Sequence, residues 1–249
     1  GTIEHHPYGW TVINGRIKYF EVFAYEDGAV LSNMLLKNPQ PWYQHAGWIV
    51  LAVADVILYL HRAQKLHLCL KPDVILVRYD KENIPRTMVL DLGVADPGPN
   101  IPAFWDDNYN LPAYTAPEIV SRRGPVSPAT DVYGLGILLY ELLAGHPPYE
   151  YHLKRDDAVF RDVLRGRFAK TGRIDLKEIP DIAERSLSPN ANQRFQDVAQ
   201  FAEALSRNLP KIPAEKKKRK FNWRLFFIII GALLAISLVI GLAISLVPV

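Results

Sequence analysis

The chain has 249 residues, of which 49% are hydrophobic and 22% are charged. This composition supports a packed core and excludes a chain that is disordered throughout. The formal net charge is +3, but the residues from Lys211 onward contain seven basic side chains and one acidic side chain. This tail therefore carries +6 and residues 1–210 carry −3, which argues against a nucleic-acid-binding surface on the body. The single cysteine, Cys69, excludes an internal disulfide and disfavours a cysteine-based metal site.

The first part of the body alternates short strands and helices. Asn14-Gly15 is a strong two-residue turn signal between two β-rich runs, so residues 11–25 predict a hairpin. The patterns that follow predict a short helix at 30–37 and a long helix at 42–62. Two short strands are predicted at 74–77 and 87–90. The long helix is apolar on most faces, which is typical of a central helix.

The second part of the body is mostly helical. A loop rich in Pro, Asn and Asp at 96–113 precedes a strongly apolar helix at 131–145, which ends at Gly145. Amphipathic helices are predicted near 154–166, 176–186 and 196–207. The body is therefore expected to be a mainly helical domain with a few strands.

Residues 225–247 contain no charged side chain and are long enough for one transmembrane helix. The positive-inside rule predicts that the N-terminal side faces the cytoplasm, which places the body in the cytosol. The expected membrane-interface residues, which also attract anionic lipids, are Lys216, Lys217, Lys218, Arg219, Lys220, Trp223 and Arg224.

Small side chains recur at intervals of four residues within the predicted span. Such spacing allows close approach of a second helix, from a partner protein or from a second copy. The expected helix-packing residues are Gly231, Ala235, Ser237, Gly241 and Ser245.

Five motifs occur in a specific order along the body. They are LHLCLKPDVILV (66–77), LDLGVAD (90–96), YTAPEIV (114–120), DVYGLGILLYELLAGHPPY (131–149) and SPNANQRF (188–195). The series resembles the C-terminal lobe of the eukaryotic-type serine/threonine protein kinases, including the bacterial ones. With the basic run and the single span, the chain looks like a bacterial receptor-type kinase.

The resemblance implies a mainly α fold, an α+β protein-kinase-like C-lobe with a remnant of N-lobe strands, plus one C-terminal transmembrane helix. We expect remnant N-lobe strands and the hinge at 1–29, followed by the C-lobe at 30–208. A basic juxtamembrane linker is expected at 209–224 and the transmembrane helix at 225–247.

The catalytic loop of the family has the pattern H-R-D-L-K-P-x-N. By resemblance, Cys69 replaces the catalytic Asp and Val74 replaces the metal-binding Asn, whereas Lys71 is retained. Asp91 matches the metal-binding Asp of the D-F-G motif, but a lone carboxylate is a weak magnesium site. No glycine-rich loop or strand lysine of the family's pattern occurs in the sequence, and both would precede residue 1. No catalytic residue and no metal site are therefore expected.

The residues that maintain the fold in this family are kept. By resemblance, Glu118 pairs with Arg194, Asp131 holds the backbone of the catalytic loop, and His67 packs that loop. The expectation is therefore a membrane-anchored pseudokinase, not an enzyme, that serves as a scaffold or regulatory subunit without a cofactor.

Its expected partners are other membrane-protein subunits, through the lobe and the span, and anionic lipids, but no nucleic acid. The expected location is the cytoplasmic membrane. Two alternatives remain open: a weakly active receptor-type kinase that uses ATP and magnesium with an N-lobe upstream, and a signalling receptor with its sensor beyond Val249.

Overall fold

The structure is a computed structural model that describes residues 5–13, 16–23, 25–90, 111–149, 154–176 and 178–211, and of residues 5–23 only the backbone. The chain divides into two compact units, residues 1–213 and 214–249. The predicted transmembrane helix, its interface residues and its helix-packing residues lie outside the described residues. So do Asp91, Asn14-Gly15 and the loop from 91 to 110.

The N-terminal hairpin consists of strands β1 (His5–Ile13) and β2 (Arg16–Phe23), paired antiparallel with Ile13 opposite Arg16. The hairpin is thus present but longer than predicted, because β1 starts six residues before Thr11. The pairing register shifts between His6 and Tyr8. Pro7 lies there and has no backbone N–H to donate, so a bulge accommodates it.

A second, three-stranded antiparallel sheet has the order β3 (Ala29–Val30), β4 (Ile75–Tyr79), β5 (Pro85–Val89). Strands β4 and β5 correspond to the predicted strands, whereas the two-residue β3 was not predicted. Val74 was predicted to begin a strand but instead ends a 3₁₀ turn, Pro72–Val74, because Pro72 favours such a turn at its first position.

Seven α-helices complete the described fold. They are α1 (Leu31–Lys37), α2 (Tyr43–Arg62), α3 (Pro117–Ser121), α4 (Pro128–Ala144), α5 (Asp156–Arg165), α6 (Ile179–Ser186) and α7 (Val198–Arg207). Six of them match predicted helices, and the short α3 was not predicted. Gly145 ends α4 in the left-handed conformation, with a φ of 84°, as a C-terminal glycine does.

Helix α4 is the centre of the domain. Every residue from Ala129 to Leu143 is buried, and α2, α6 and α7 pack around it. Gly136 allows the closest approach, since a Cβ there would lie 2.5 Å from Cβ of Ser186 on α6. This packing brings the end of α2 next to the start of α4, where the loop Leu66–Val74 is attached.

Helix α2 is the one helix among the described residues with the length and mean hydropathy of a membrane span. Most of it is buried against α4, α7 and β5, so it is the core helix that the sequence predicted.

Candidate functional site

The loop Leu66–Val74 is attached to α4 through Asp131, whose side chain is 0% exposed. Its Oδ2 accepts a hydrogen bond from the backbone N–H of His67 at 2.9 Å, and Oδ1 accepts one from the N–H of Leu68 at 2.7 Å. His61, on the last turn of α2, places Nε2 2.8 Å from the same Oδ2. Three polar groups thus compensate this buried carboxylate, which fixes the loop backbone to two helices.

Leu68 has a left-handed backbone, with a φ of 62°. This conformation costs a residue with a Cβ about 1–2 kcal/mol. The pair of consecutive N–H groups aimed at Asp131 offsets the strain, so the shape of the loop is imposed by its surroundings.

His67 is fully buried, and its Nδ1 accepts a hydrogen bond from the backbone N–H of Cys69 at 3.2 Å. Nδ1 therefore carries no proton. The ring fixes the turn that follows it and positions Cys69 at the edge of the core.

Cys69 and Val74, which by resemblance replace an acid and an amide, both contact the hydrophobic core. Cys69 is half-buried and packs against the hydrophobic core. Val74 is buried in that core, and its carbonyl accepts a hydrogen bond from the N–H of Leu90 at 2.8 Å. That contact joins the loop to the end of β5. A half-buried thiol and a buried aliphatic side chain therefore occupy the positions where the family's pattern has a carboxylate and an amide.

Lys71 is half-buried, and its carbonyl accepts the N–H of Val74 at 3.2 Å, which closes the 3₁₀ turn. Asp91 lies just past the last described residue of this segment, Leu90. Among the described residues, no group of three or more His, Cys, Asp or Glu side chains is arranged to hold a metal ion.

Glu118 and Arg194 form a buried bidentate ion pair, with both N–O distances at 2.8 Å. The guanidinium also donates to the carbonyls of Ser188 at 2.8 Å and Ala129 at 3.0 Å, and it lies 4.8 Å from the ring centre of Tyr133. The pair joins α3, the start of α4 and the segment before α7. Its donors and acceptors are well matched, which a buried pair requires.

A third buried carboxylate, Glu141 on α4, was not singled out in the sequence. The hydroxyl of Tyr114 donates to its two oxygens, at 3.0 and 2.9 Å. The pKa of Glu141 is raised to about 7, chiefly by burial; the Tyr114 hydrogen bond lowers it and the nearby charge of Asp73 raises it, both to a smaller extent. The two residues are 27 positions apart, so no local pattern could have indicated the contact.

The chain matches the family model described as "Protein kinase domain" over residues 15–209. It is 29% identical over 167 residues to serine/threonine-protein kinase H2 of Homo sapiens. The aligned region covers 63% of this chain and 42% of the relative. It is 26% identical over 199 residues to the cAMP-dependent protein kinase catalytic subunit of Dictyostelium discoideum. That aligned region covers 77% of this chain and 28% of the relative.

A third relative is calcium/calmodulin-dependent protein kinase type 1 of Macrobrachium nipponense. It is 27% identical over 144 residues, which covers 57% of this chain and 39% of the relative. The chain thus spans less than half the length of each of these curated relatives. Because the family model matches most of the sequence and the fold is helical with a small sheet, the chain belongs to the protein kinase family.

Proposed function

We propose that the chain is a membrane-anchored pseudokinase, a protein-kinase-like domain that does not transfer phosphate and acts as a scaffold or regulatory subunit of a membrane assembly. The observation that carries this proposal is the loop Leu66–Val74. Asp131 holds its backbone through two hydrogen bonds, yet Cys69 and Val74 stand at the positions of the family's acid and amide.

The chemistry of phosphoryl transfer explains why these two positions matter. The reaction depends on positioning and on metal ions and cations that neutralise the phosphate charge. A general base typically contributes about 10²–10⁴-fold to the rate, and a thiol with an ordinary pKa of about 8.5 is mostly protonated at neutral pH. Val74 has no side-chain oxygen to offer a magnesium ion, which prefers oxygen ligands.

The retained residues support a structural role. Glu118–Arg194 and Asp131 are buried, and each is compensated by hydrogen bonds. Removing one partner of such a pair costs about 3–5 kcal/mol, so these residues contribute to folding whether or not phosphate is transferred. The sequence keeps these structural residues but lacks the catalytic acid and the metal-binding amide. This combination favours a lobe that folds like a kinase but does not transfer phosphate.

The location and the partners are part of the same proposal. A span at 225–247 behind a basic run would hold the domain on the cytosolic side of the cytoplasmic membrane, with anionic lipids at the basic run. The helix-packing residues of the span and the surface of the lobe would bind other membrane subunits. We propose no cofactor and no nucleic acid.

The second candidate is a weakly active kinase. Lys71 and Asp91 match the family's pattern, and the relatives are all named as kinases. Such an enzyme would hold magnesium through Asp91 and would need the glycine-rich loop and strand lysine from upstream sequence.

Nucleotide binding by the full chain in detergent separates the two candidates. We expect weak ATP binding that does not depend on magnesium, and no transfer of labelled γ-phosphate to the chain or to a generic substrate. Tight binding that requires magnesium and disappears in Asp91→Asn, together with phosphate transfer, would overturn the pseudokinase proposal. Lys154→Gln, an exposed substitution on a different part of the lobe, is the matched control.

The assembly part of the proposal has its own measurement. Crosslinking in native membranes followed by purification should return the chain with a defined set of membrane subunits. Recovery of the chain as a lone monomer under the same conditions would contradict a role in an assembly.

A further inference from the structure

A cluster of aromatic rings lies where α2 begins and β4 ends. We call Trp42, His45, Trp48 and Tyr79 the aromatic face. The ring centre of His45 lies 5.2 Å from that of Trp42, 5.4 Å from that of Tyr79 and 5.7 Å from that of Trp48. His45 and Trp48 are buried, whereas Trp42 is 55% exposed and Tyr79 is 38% exposed. The face is thus a fixed aromatic surface built on a buried base, and exposed apolar surface of this kind marks an interaction site.

The C-terminal end of the described domain lies beside this face. The indole N–H of Trp48 donates to the carbonyl of Pro210 at 2.9 Å. Leu209 packs so closely on α2 that a Cβ at Gly47 would lie 2.3 Å from its Cδ1. Because Trp48 belongs to the aromatic face, the chain leaves the domain at Lys211 next to the Trp48 edge of that face.

The sequence after this exit is short and basic. The run Lys216–Lys220 follows within a few residues of Lys211, and the apolar segment starts at Leu225. The residues between Lys211 and Leu225 reach at most about 50 Å when fully extended, and about 20 Å as a flexible coil. If the apolar segment spans a membrane, the exit side of the domain stays close to the headgroups.

We propose that the aromatic face lies in the headgroup region of an anionic bilayer and docks the kinase-like lobe on the membrane. The inference rests on the proposed membrane anchor and goes beyond it, because an anchor alone leaves the lobe free to turn. Trp and Tyr are favoured at membrane interfaces, since their rings are apolar and their N–H or O–H groups stay hydrated.

The exposed charges around Tyr79 are of both signs. Arg78 and Lys81 are basic, whereas Glu82 is acidic, and so are Glu26 and Asp27, which precede the strand paired with β4. Asp80 is paired with Arg86 at 2.6 Å, so these two charges offset each other. Lys211 and the basic run after it therefore supply the attraction to anionic headgroups, and the aromatic rings supply the apolar contact.

Tryptophan quenching by brominated lipid tests this orientation in the full chain. The chain is reconstituted in phosphatidylcholine–phosphatidylserine vesicles with and without brominated acyl chains. The Trp42 signal is taken as the difference between the wild type and Trp42→Phe, in which phenylalanine keeps an aromatic ring at the position. We expect brominated lipid to remove most of this signal.

A matched control moves the reporter to the other end of α2. Tyr59 is 68% exposed and lies about 25 Å from Trp42 along the helix. Tyr59→Trp in the Trp42→Phe background should be quenched by acrylamide in water but not by brominated lipid. Equal lipid quenching at both positions would overturn the proposed orientation.

The remaining outcomes separate this inference from the anchor itself. If the vesicles carry the chain on flotation but Trp42 is not quenched by lipid, the anchor stands and the docking inference is wrong. If Trp42 is protected from acrylamide as well as from lipid, a protein partner or a second copy covers the face, and the inference is also wrong. If the chain does not float with the vesicles, the proposed anchor fails.

Discussion

At the scale of single residues, Arg194 shows how much of this fold depends on one buried charge. Its side chain is 0% exposed, and Glu118 and backbone carbonyls take up its hydrogen bonds. Removing it leaves a buried carboxylate without its cation, and an uncompensated buried charge is among the few single changes with a large effect on stability.

Arg194→Ala should therefore lower the free energy of unfolding of the lobe by about 3–5 kcal/mol. The measurement is urea unfolding of the full chain in detergent, followed by tryptophan fluorescence. Arg207→Ala is the control, because Arg207 forms an exposed pair with Glu203 on α7 and should change the free energy by about 0.5 kcal/mol or less. Similar losses in the two variants would show that the buried pair contributes no more than a surface pair.

Glu141 gives a pH dependence whose sign follows from its environment. Its pKa rises from 4.5 to about 7 in the folded protein, chiefly through burial. The folded state therefore favours the protonated carboxyl. The stability that this preference contributes is full below pH 4.5 and is lost as the pH rises through about 7.

Glu141→Gln should remove this dependence, because glutamine does not ionise and can still accept the Tyr114 hydrogen bond. Relative to the wild type, the variant should gain about 2–3 kcal/mol of unfolding free energy between about pH 5 and pH 8. Urea unfolding at several pH values measures the gain. Glu203→Gln, at an exposed position, should follow the wild-type pH profile, and an unchanged slope in Glu141→Gln would contradict the raised pKa.

At the scale of elements, the close packing of α4 on α6 depends on a missing side chain. A Cβ at Gly136 would lie 2.5 Å from Cβ of Ser186 and 3.3 Å from the carbonyl oxygen of Ala183. A Cβ at Gly134, which faces the loop instead of α6, would lie 3.1 Å from Cβ of Leu70. Both positions are inside the same helix, so alanine gains the same helix propensity at each.

Gly136→Ala should destabilise the lobe by about 1–3 kcal/mol, because overpacking outweighs a propensity gain of about 1 kcal/mol. Gly134→Ala should lose less. Ser186→Gly in the Gly136→Ala background removes the clashing Cβ and should recover part of the loss in urea unfolding. No recovery would show that the helices are not held at this distance by the two Cβ positions.

The helices of this domain could be predicted well from the sequence because their signals are local. Gly145 ends α4 at the expected position, and the apolar runs of α2 and α4 mark the two central helices. Strand β3 could not be predicted, since two residues carry no periodic pattern and the strand exists only through its pairing with β4.

The contacts of the site were less accessible to sequence reasoning. His61 and Asp131 are 70 positions apart, and Trp48 and Pro210 are 162 apart. Only the packing of α2 on α4 and α7 brings them together. The family resemblance indicated Asp131 and Arg194, but it gave no sign of the aromatic face.

At the scale of the whole molecule, the uneven charge and the apolar C-terminal segment determine the expected topology. The body carries −3 and the tail from Lys211 carries +6, with the basic run directly before residues 225–247. Positive residues that flank a span are retained on the cytoplasmic side. The lobe and Val249 are therefore expected on opposite sides of the membrane.

Cysteine labelling in intact cells tests this topology, because Cys69 is the only cysteine of the chain and can be changed to serine. In that background, Tyr59→Cys places a thiol at a position that is 68% exposed on the lobe. We expect a membrane-impermeant maleimide to label it only after the cells are permeabilised, whereas Val249→Cys should be labelled in intact cells. Labelling of Tyr59→Cys in intact cells would place the lobe outside. Protection of both thiols in intact cells, with labelling only after permeabilisation, would mean that residues 225–247 do not cross the membrane.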